Sequence, residues 1–205
     1  MLKKTLITLT LPLVSILAIS AGNYTVRPSQ KPSDAPSVTL QKMIVENGSV
    51  TMGLDLDGLN RQNFPSSLKA RPITLQFAVA ANSFFPILVF NDLLRAVEPG
   101  SMDLIPAEVN APGYSNLPAT LTASLKQLVV EKLPSGQGFD LAVRDSKTGF
   151  TFFNVEGGDY DYDANAQSLS ITGGRLLISK EFANALGRPS SAGAVVGKIS
   201  VGAAM

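Results

Sequence analysis

Three aspartates at alternate positions form the densest group of potential metal ligands in the chain. Asp159, Asp161 and Asp163 are separated by single tyrosines. Carboxylate oxygens gathered in one loop are the ligands that Ca²⁺ prefers. The spacing begins like a helix–loop–helix calcium site, but Ala164 stands where the turn requires glycine and Ser170 where the bidentate glutamate belongs. The three aspartates are the predicted metal ligands, and calcium is the one cofactor that the sequence suggests.

The same segment has a second interpretation that needs no ion. Alternate residues of a strand face one side, so the aspartates would point to solvent while Tyr160 and Tyr162 pack inward. Outward charges keep an edge strand from pairing with other chains. Residues 163–167 would then form the hairpin turn. The sequence leaves both interpretations open and favours the strand edge.

Histidine and cysteine are absent from the chain. Without them it forms neither a Ser-His-Asp triad nor a Cys-His dyad, and it has no His or Cys to ligate zinc. A pair of carboxylates distant in sequence is the remaining catalytic option, and nothing in the sequence singles out such a pair. We therefore predict no catalytic residue and no further cofactor-binding residue.

The N-terminus has the three parts of a secretory signal peptide. Lys3 and Lys4 precede an apolar run over residues 6–19, and small residues follow it. The run is short for a membrane-spanning helix and contains Pro12. We predict a signal peptide over residues 1–22, a secreted or periplasmic location, and no membrane span after cleavage; an uncleaved membrane anchor is the alternative.

Composition sets the expectations for the mature part. Prolines are frequent in residues 23–37, which predicts an extended linker, and residues 38–205 are expected to form one β-rich globular domain. The formal net charge is +1, and no cluster of Lys and Arg offers a surface for nucleic acid. Because cysteine is absent, no disulfide forms, and burial alone must hold the domain together.

Short apolar stretches bounded by turn residues recur along this domain. They predict a mainly β, antiparallel, sandwich-like fold. Apolar residues occupy the even positions of 49–57, as in a strand with one buried face. The predicted strands cover residues 40–46, 49–55, 73–80, 125–131, 139–144, 150–155, 167–172, 174–179 and 195–201. A further buried strand is predicted over 84–90, and an exposed binding surface is the alternative for that stretch.

One or two short helices complete the prediction. The first follows the strand at 175–178, begins at a capping Ser179 and ends at Gly187, before Pro189. The second candidate covers residues 91–97.

An internal duplication is also suggested by the sequence. Residues 40–46 resemble residues 125–131, and in both copies a Gly-apolar-Asp-Leu group follows after the same interval. The possible similar halves would be 38–122 and 123–205. A ligand would then be expected at their junction.

The C-terminal half carries a family resemblance. From Tyr162 the chain reads Tyr-Asp-Ala, then Leu169-Ser-Ile-Thr-Gly-Gly-Arg-Leu-Leu-Ile-Ser-Lys-Glu-Phe-Ala-Asn-Ala-Leu-Gly-Arg-Pro, and it continues to Val201. This run resembles an N-terminal segment of large secreted bacterial proteins that carry further domains downstream. The resemblance extends back to about Ile73 and implies no assigned activity, cofactor or catalytic residue. It implies that the chain is a short relative or a fragment of a longer architecture.

Two functions remain as expectations. A well-patterned β scaffold without catalytic residues favours a secreted, non-enzymatic binding or structural module. The alternative is a carboxylate-dependent hydrolase acting on an extracellular polymer. A cleft with two close carboxylates would favour the hydrolase, and a flat apolar surface would favour the module.

Overall fold

A computed structural model describes residues 39–60, 72–108 and 114–205. The predicted signal peptide (1–22) and linker (23–37) lie outside these residues. Within the described ranges the strands are β1 (Leu40–Ile44), β2 (Asn47–Leu54), β3 (Ile73–Val79), β4 (Pro86–Phe90), β5 (Leu93–Val97), β6 (Gly100–Pro106), β7 (Leu128–Lys132), β8 (Leu141–Asp145), β9 (Thr151–Glu156), β10 (Asp159–Asp163), β11 (Ser168–Ile178) and β12 (Val195–Ala204). The α-helices are α1 (Leu56–Asn60), α2 (Ala119–Ser124) and α3 (Lys180–Ala185).

Most strands belong to one antiparallel sheet, in the order β10-β11-β12-β2-β3-β6-β7-β8-β9. This sheet closes because β9 pairs with β8 on one side and with the second half of β11 on the other. Eight strands thus form a barrel, and β10 pairs with the first half of β11. The mainly β, antiparallel prediction is confirmed. The predicted sandwich is wrong, because the long β11 pairs with two strands in succession and so closes the sheet.

Glycines allow β11 to change partners along its length. Gly173 has a φ of 75°, in the left-handed region that favours glycine. A Cβ on Gly174 would lie 2.8 Å from Ile199 Cγ2 and 2.9 Å from Val155 Cγ1. The register on β12 shifts between Ile171 and Gly174, as expected for a bulge that bends a strand out of a barrel.

The barrel interior is filled by the apolar residues of alternate strand positions. On β2 and β3, Val50 lies opposite Phe77 and Met52 opposite Leu75, and all four side chains are buried. An eight-stranded barrel is just wide enough for its own side chains to fill it. The sequence alternation predicted this inward face correctly.

Three strands form a separate antiparallel sheet in the order β1-β4-β5. Its inner face packs on the main core through residues such as Met43, Ile87 and Val89. The helix predicted over residues 91–97 is wrong, because this segment contains β5. Asn91 and Asp92 have φ values of 51° and 59°, and a two-residue turn with both residues left-handed joins antiparallel strands in a tight hairpin.

The helix predicted after the strand at 175–178 is confirmed as α3. The Ser179 hydroxyl accepts a hydrogen bond from the Phe182 backbone N–H at 2.9 Å, which caps the first turn. Gly187 follows with a φ of 67°. The described residues contain three short α-helices, because α1 and α2 also form.

The two segments that suggested a duplication lie in different elements. The first contains β1, in the three-stranded sheet, whereas the second begins with a 3-10 turn at Leu125–Gln127 and continues as β7 in the barrel. The boundary at 122/123 falls inside α2. Similar residue patterns therefore adopt different structures in the two segments.

Candidate functional site

The acidic segment is an edge strand. In β10 the three aspartates are exposed, while Tyr160 and Tyr162 are half-buried against the core. Asp163 Oδ1 accepts the backbone N–H groups of Asn165 at 2.8 Å and Ala166 at 3.1 Å, which holds the hairpin turn. The strand-edge interpretation of this segment is confirmed.

The aspartates of β10 are not gathered in a loop. Alternate residues along a strand are about 6.6 Å apart, whereas calcium binds its oxygens at about 2.3–2.6 Å. Within the described ranges, no group of three or more His, Cys, Asp or Glu side chains is placed to hold a metal ion. Calcium at Asp159, Asp161 and Asp163 stays a prediction.

Tyr160 attaches this edge strand to one end of the barrel. Its ring lies 5.6 Å from Lys132 Nζ, and that ammonium pairs with Asp140 Oδ1 at 2.8 Å. Burial raises the pKa of Tyr160, and the charge of Asp140 adds to the effect. The phenol therefore stays neutral, and this contact anchors β10.

The outer face of the three-stranded sheet carries exposed apolar side chains on both sides of Lys42, which pairs with Glu98. Leu40, Phe90 and Leu93 lie opposite one another across its strands, and Leu40 and Leu93 are each 57% exposed. Ile44, on the same side of β1, is 40% exposed. The Arg95 guanidinium lies 5.5 Å from the Phe90 ring centre, a cation–π contact. We call Leu40, Ile44, Phe90 and Leu93 the apolar face, a kind of surface that marks interaction sites.

One edge of β1 is open beside this face. The Val45 N–H donates to the Phe85 carbonyl at 3.2 Å. Hydrogen-bonded pairs alternate in an antiparallel ladder, so the backbone groups of Leu40, Lys42 and Ile44 point away from β4. Among the described residues no strand pairs with this edge. The N–H and C=O groups there are placed to pair with another extended chain.

The other two edge strands of the described structure are protected. On β10, aspartates repel an incoming strand. On β5 the register shifts opposite Leu88 and Val89, and a bulge of this kind terminates pairing. β1 has a regular register over its whole length. It is therefore the edge most suited to pairing.

A cleft of about 540 Å³ lies beside the turn between β8 and β9. It is lined by α2 residues, Gln127, the turn, two phenylalanine rings and Glu181 of α3. Asp145 is only 2% exposed. Its Oδ1 accepts hydrogen bonds from the backbone N–H groups of Lys147 and Thr148, each at 2.9 Å, and these bonds hold the turn. Burial raises the pKa of Asp145, but hydrogen bonds from Ser124, Thr148 and Lys147 outweigh it and lower the pKa overall.

A second cleft, of about 400 Å³, lies on the other side of the same turn. Its lining includes three carboxylates, those of Asp103, Glu131 and Asp145, and one cation, Arg144. Glu131 Oε2 pairs with Arg144 Nη1 at 2.7 Å, and Asp103 Oδ2 accepts from Asn82 Nδ2 at 2.8 Å. Glu131 lies opposite Ser101 on β6, so Asp103 is its diagonal neighbour, with a backbone spacing of about 7–8 Å.

The sequence pattern missed both the apolar face and the clefts. It predicted a helix where β5 forms, so Leu93 was not assigned to a strand and could not be placed on a sheet face. The available signal was Asn91-Asp92 between two apolar runs, a pair suited to a hairpin turn. For Asp145, the signal was its place before Ser-Lys-Thr-Gly, the composition of an aspartate-held turn.

Comparison with family models, curated proteins and solved structures finds no match for this chain. In the part of the chain that the structure describes, no helix has the length and apolar character needed to cross a membrane.

Proposed function

We propose that the chain is a secreted, non-enzymatic binding module that captures an extended peptide segment along the edge of β1. The open edge beside the apolar face is the observation that supports this proposal. The predicted signal peptide and the resemblance to large secreted bacterial proteins support a place at the cell exterior.

The edge and the face supply different parts of recognition. Backbone groups of Leu40, Lys42 and Ile44 bond to the added strand, which gives affinity without regard to sequence. Alternate side chains of the added strand lie beside the exposed side chains of Leu40 and Ile44. Each such cross-strand pair contributes about 0.2–1 kcal/mol. The preferred ligand therefore has apolar residues beside Leu40 and Ile44, and the position between them lies beside Lys42.

Substitution of Lys42 tests the proposal. Lys42→Pro removes an outward N–H while leaving the hydrogen bonds to β4 in place, since proline is tolerated on a free strand edge. Lys42→Ala is the matched control: both variants lose the exposed ion pair of Lys42 with Glu98 at 2.5 Å, but alanine keeps the N–H. The probe is an acetylated peptide of alternating Thr and Val, titrated by calorimetry.

The wild type and Lys42→Ala should bind the peptide alike, and Lys42→Pro should bind about tenfold more weakly. Circular dichroism checks that all three are folded. Equal binding by Lys42→Pro would contradict strand addition. If the peptide fails to bind and the chain dimerises instead, with the dimer lost in Lys42→Pro, the captured strand is β1 of a second copy.

The carboxylate pair in the second cleft supports the alternative, a hydrolase acting on an extracellular polymer. Asp103 and Glu131 line this cleft from neighbouring strands, and a pair of carboxylates is what a glycosidase needs. The ion pair with Arg144 holds the Glu131 carboxylate in place at 2.7 Å, and Glu131 would act as the general base. A hydrolase would release reducing sugar from a polysaccharide and lose that activity in Glu131→Gln. The binding module releases none.

A further inference from the structure

The cleft of about 540 Å³ beside Asp145 has a rigid aromatic wall. The Phe150 and Phe152 rings meet edge-to-face with centres 4.9 Å apart. Phe182, which is fully buried, braces both rings from behind, at 6.5 Å and 5.2 Å. The rings that line the cleft are therefore held in place before any ligand arrives. The cleft volume falls within the range of about 300–1,000 Å³ typical of small-molecule sites.

The charged side chains that line this cleft are all acidic. Asp145 and Glu181 both line it, and no Lys or Arg is among its described lining residues. Glu181 Oε2 accepts the Thr151 N–H at 2.5 Å, which fixes the carboxylate at the cleft wall. Asp145 is buried and takes part in none of the described ion pairs. Two carboxylates beside the partly exposed Phe150 ring attract a positive charge.

We propose that this cleft binds a small organic cation, an alkylguanidinium or alkylammonium group. The cation lies against the Phe150 ring and donates to the carboxylate of Glu181. Gln127, also in the lining, offers an amide oxygen to a second N–H of the ligand. Asp145, whose oxygens already accept from the turn and from Ser124, contributes charge and not a further hydrogen bond. The site is separate from the β1 edge and does not depend on strand capture.

Titration with a charged ligand and its neutral analogue tests the proposal. The charged probe is N-acetyl-arginine amide, and the neutral one is N-acetyl-citrulline amide, which has nearly the same shape. Binding is followed by the backbone amide signals of Thr148, Gly149 and Phe150 in the ¹⁵N-labelled chain. Glu181→Gln removes one carboxylate charge at an exposed position. Glu46→Gln is the matched control, because it makes the same change at an exposed residue that does not line the cleft.

The arginine probe should bind with a Kd of about 1 mM, and the citrulline probe about tenfold more weakly. Glu181→Gln should weaken arginine binding about fivefold, and Glu46→Gln should leave it unchanged. Equal affinities for the two probes would overturn the proposal. So would an unaltered Kd in Glu181→Gln, or signal changes that do not include the turn residues.

Discussion

Replacing Asp145 with asparagine tests how the β8–β9 turn is held. The substituted side chain would keep an oxygen for the N–H groups of Lys147 and Thr148, but its amide would face the hydroxyls of Ser124 and Thr148, which donate to the carboxylate. Hydrogen bonds to a charged acceptor contribute about 1.5–3 kcal/mol, against about 0.5–1.5 kcal/mol for neutral ones. We expect Asp145→Asn to lower the free energy of unfolding by about 1–3 kcal/mol at neutral pH.

The difference between the wild type and Asp145→Asn should depend on pH. The folded state lowers the pKa of Asp145 from its ordinary value of 3.8. A lowered pKa means that the carboxylate stabilises the fold fully above the unfolded value. That stabilisation is lost as the pH falls through the lower folded value. The difference should therefore be constant near neutral pH and shrink below about pH 4.

Urea unfolding, followed by circular dichroism across this pH range, measures the effect. Asp161→Asn is the control, because Asp161 is exposed on β10, and its change should stay within about 0.5 kcal/mol. A difference for Asp145→Asn that is equally small, or that does not shrink in acid, would refute the role assigned to Asp145.

Three further predictions concern the barrel, α3 and β10. Gly197→Ala should destabilise the chain by at least about 2 kcal/mol in urea unfolding, because its Cβ would overlap the Gly53 carbonyl. Gly53→Ala, with nothing near its Cβ, should change stability by less than about 1 kcal/mol, and equal losses would contradict the packing. Ser179→Ala should cost about 1–2 kcal/mol through loss of the α3 cap, and an unchanged denaturation midpoint would exclude that role. The calcium hypothesis predicts that millimolar calcium raises the thermal midpoint relative to chelator, and that Asp161→Asn removes the shift; identical midpoints would overturn it.

Local pattern predicted the strands better than it predicted their arrangement. The alternation in β2 and the cap of α3 depend on neighbouring residues, so both were visible in the sequence. Closure of the barrel depends on β11 pairing with β10 and then with β9, a choice between strands that alternate in the same way. Sandwich and barrel therefore could not be separated by periodicity.

The candidate sites differ in the same way: some depend on a single strand, and others form only when several elements meet. Outward aspartates and inward tyrosines on β10 were predicted, because a single strand determines them. The apolar face joins Leu40 and Leu93 through β4, so it exists only once three strands have paired. The cleft of about 540 Å³ likewise depends on α2, α3 and the β8–β9 turn meeting in space.

Amide hydrogen exchange with the alternating Thr-Val peptide tests strand capture most directly. Leu40, Lys42 and Ile44 have N–H groups on the open edge, whereas Gln41 and Met43 already bond to β4. Binding should slow exchange at the first three amides and leave the other two nearly unchanged. Protection that is absent from β1, or that falls on another part of the chain, would contradict the proposal that this edge captures an extended peptide.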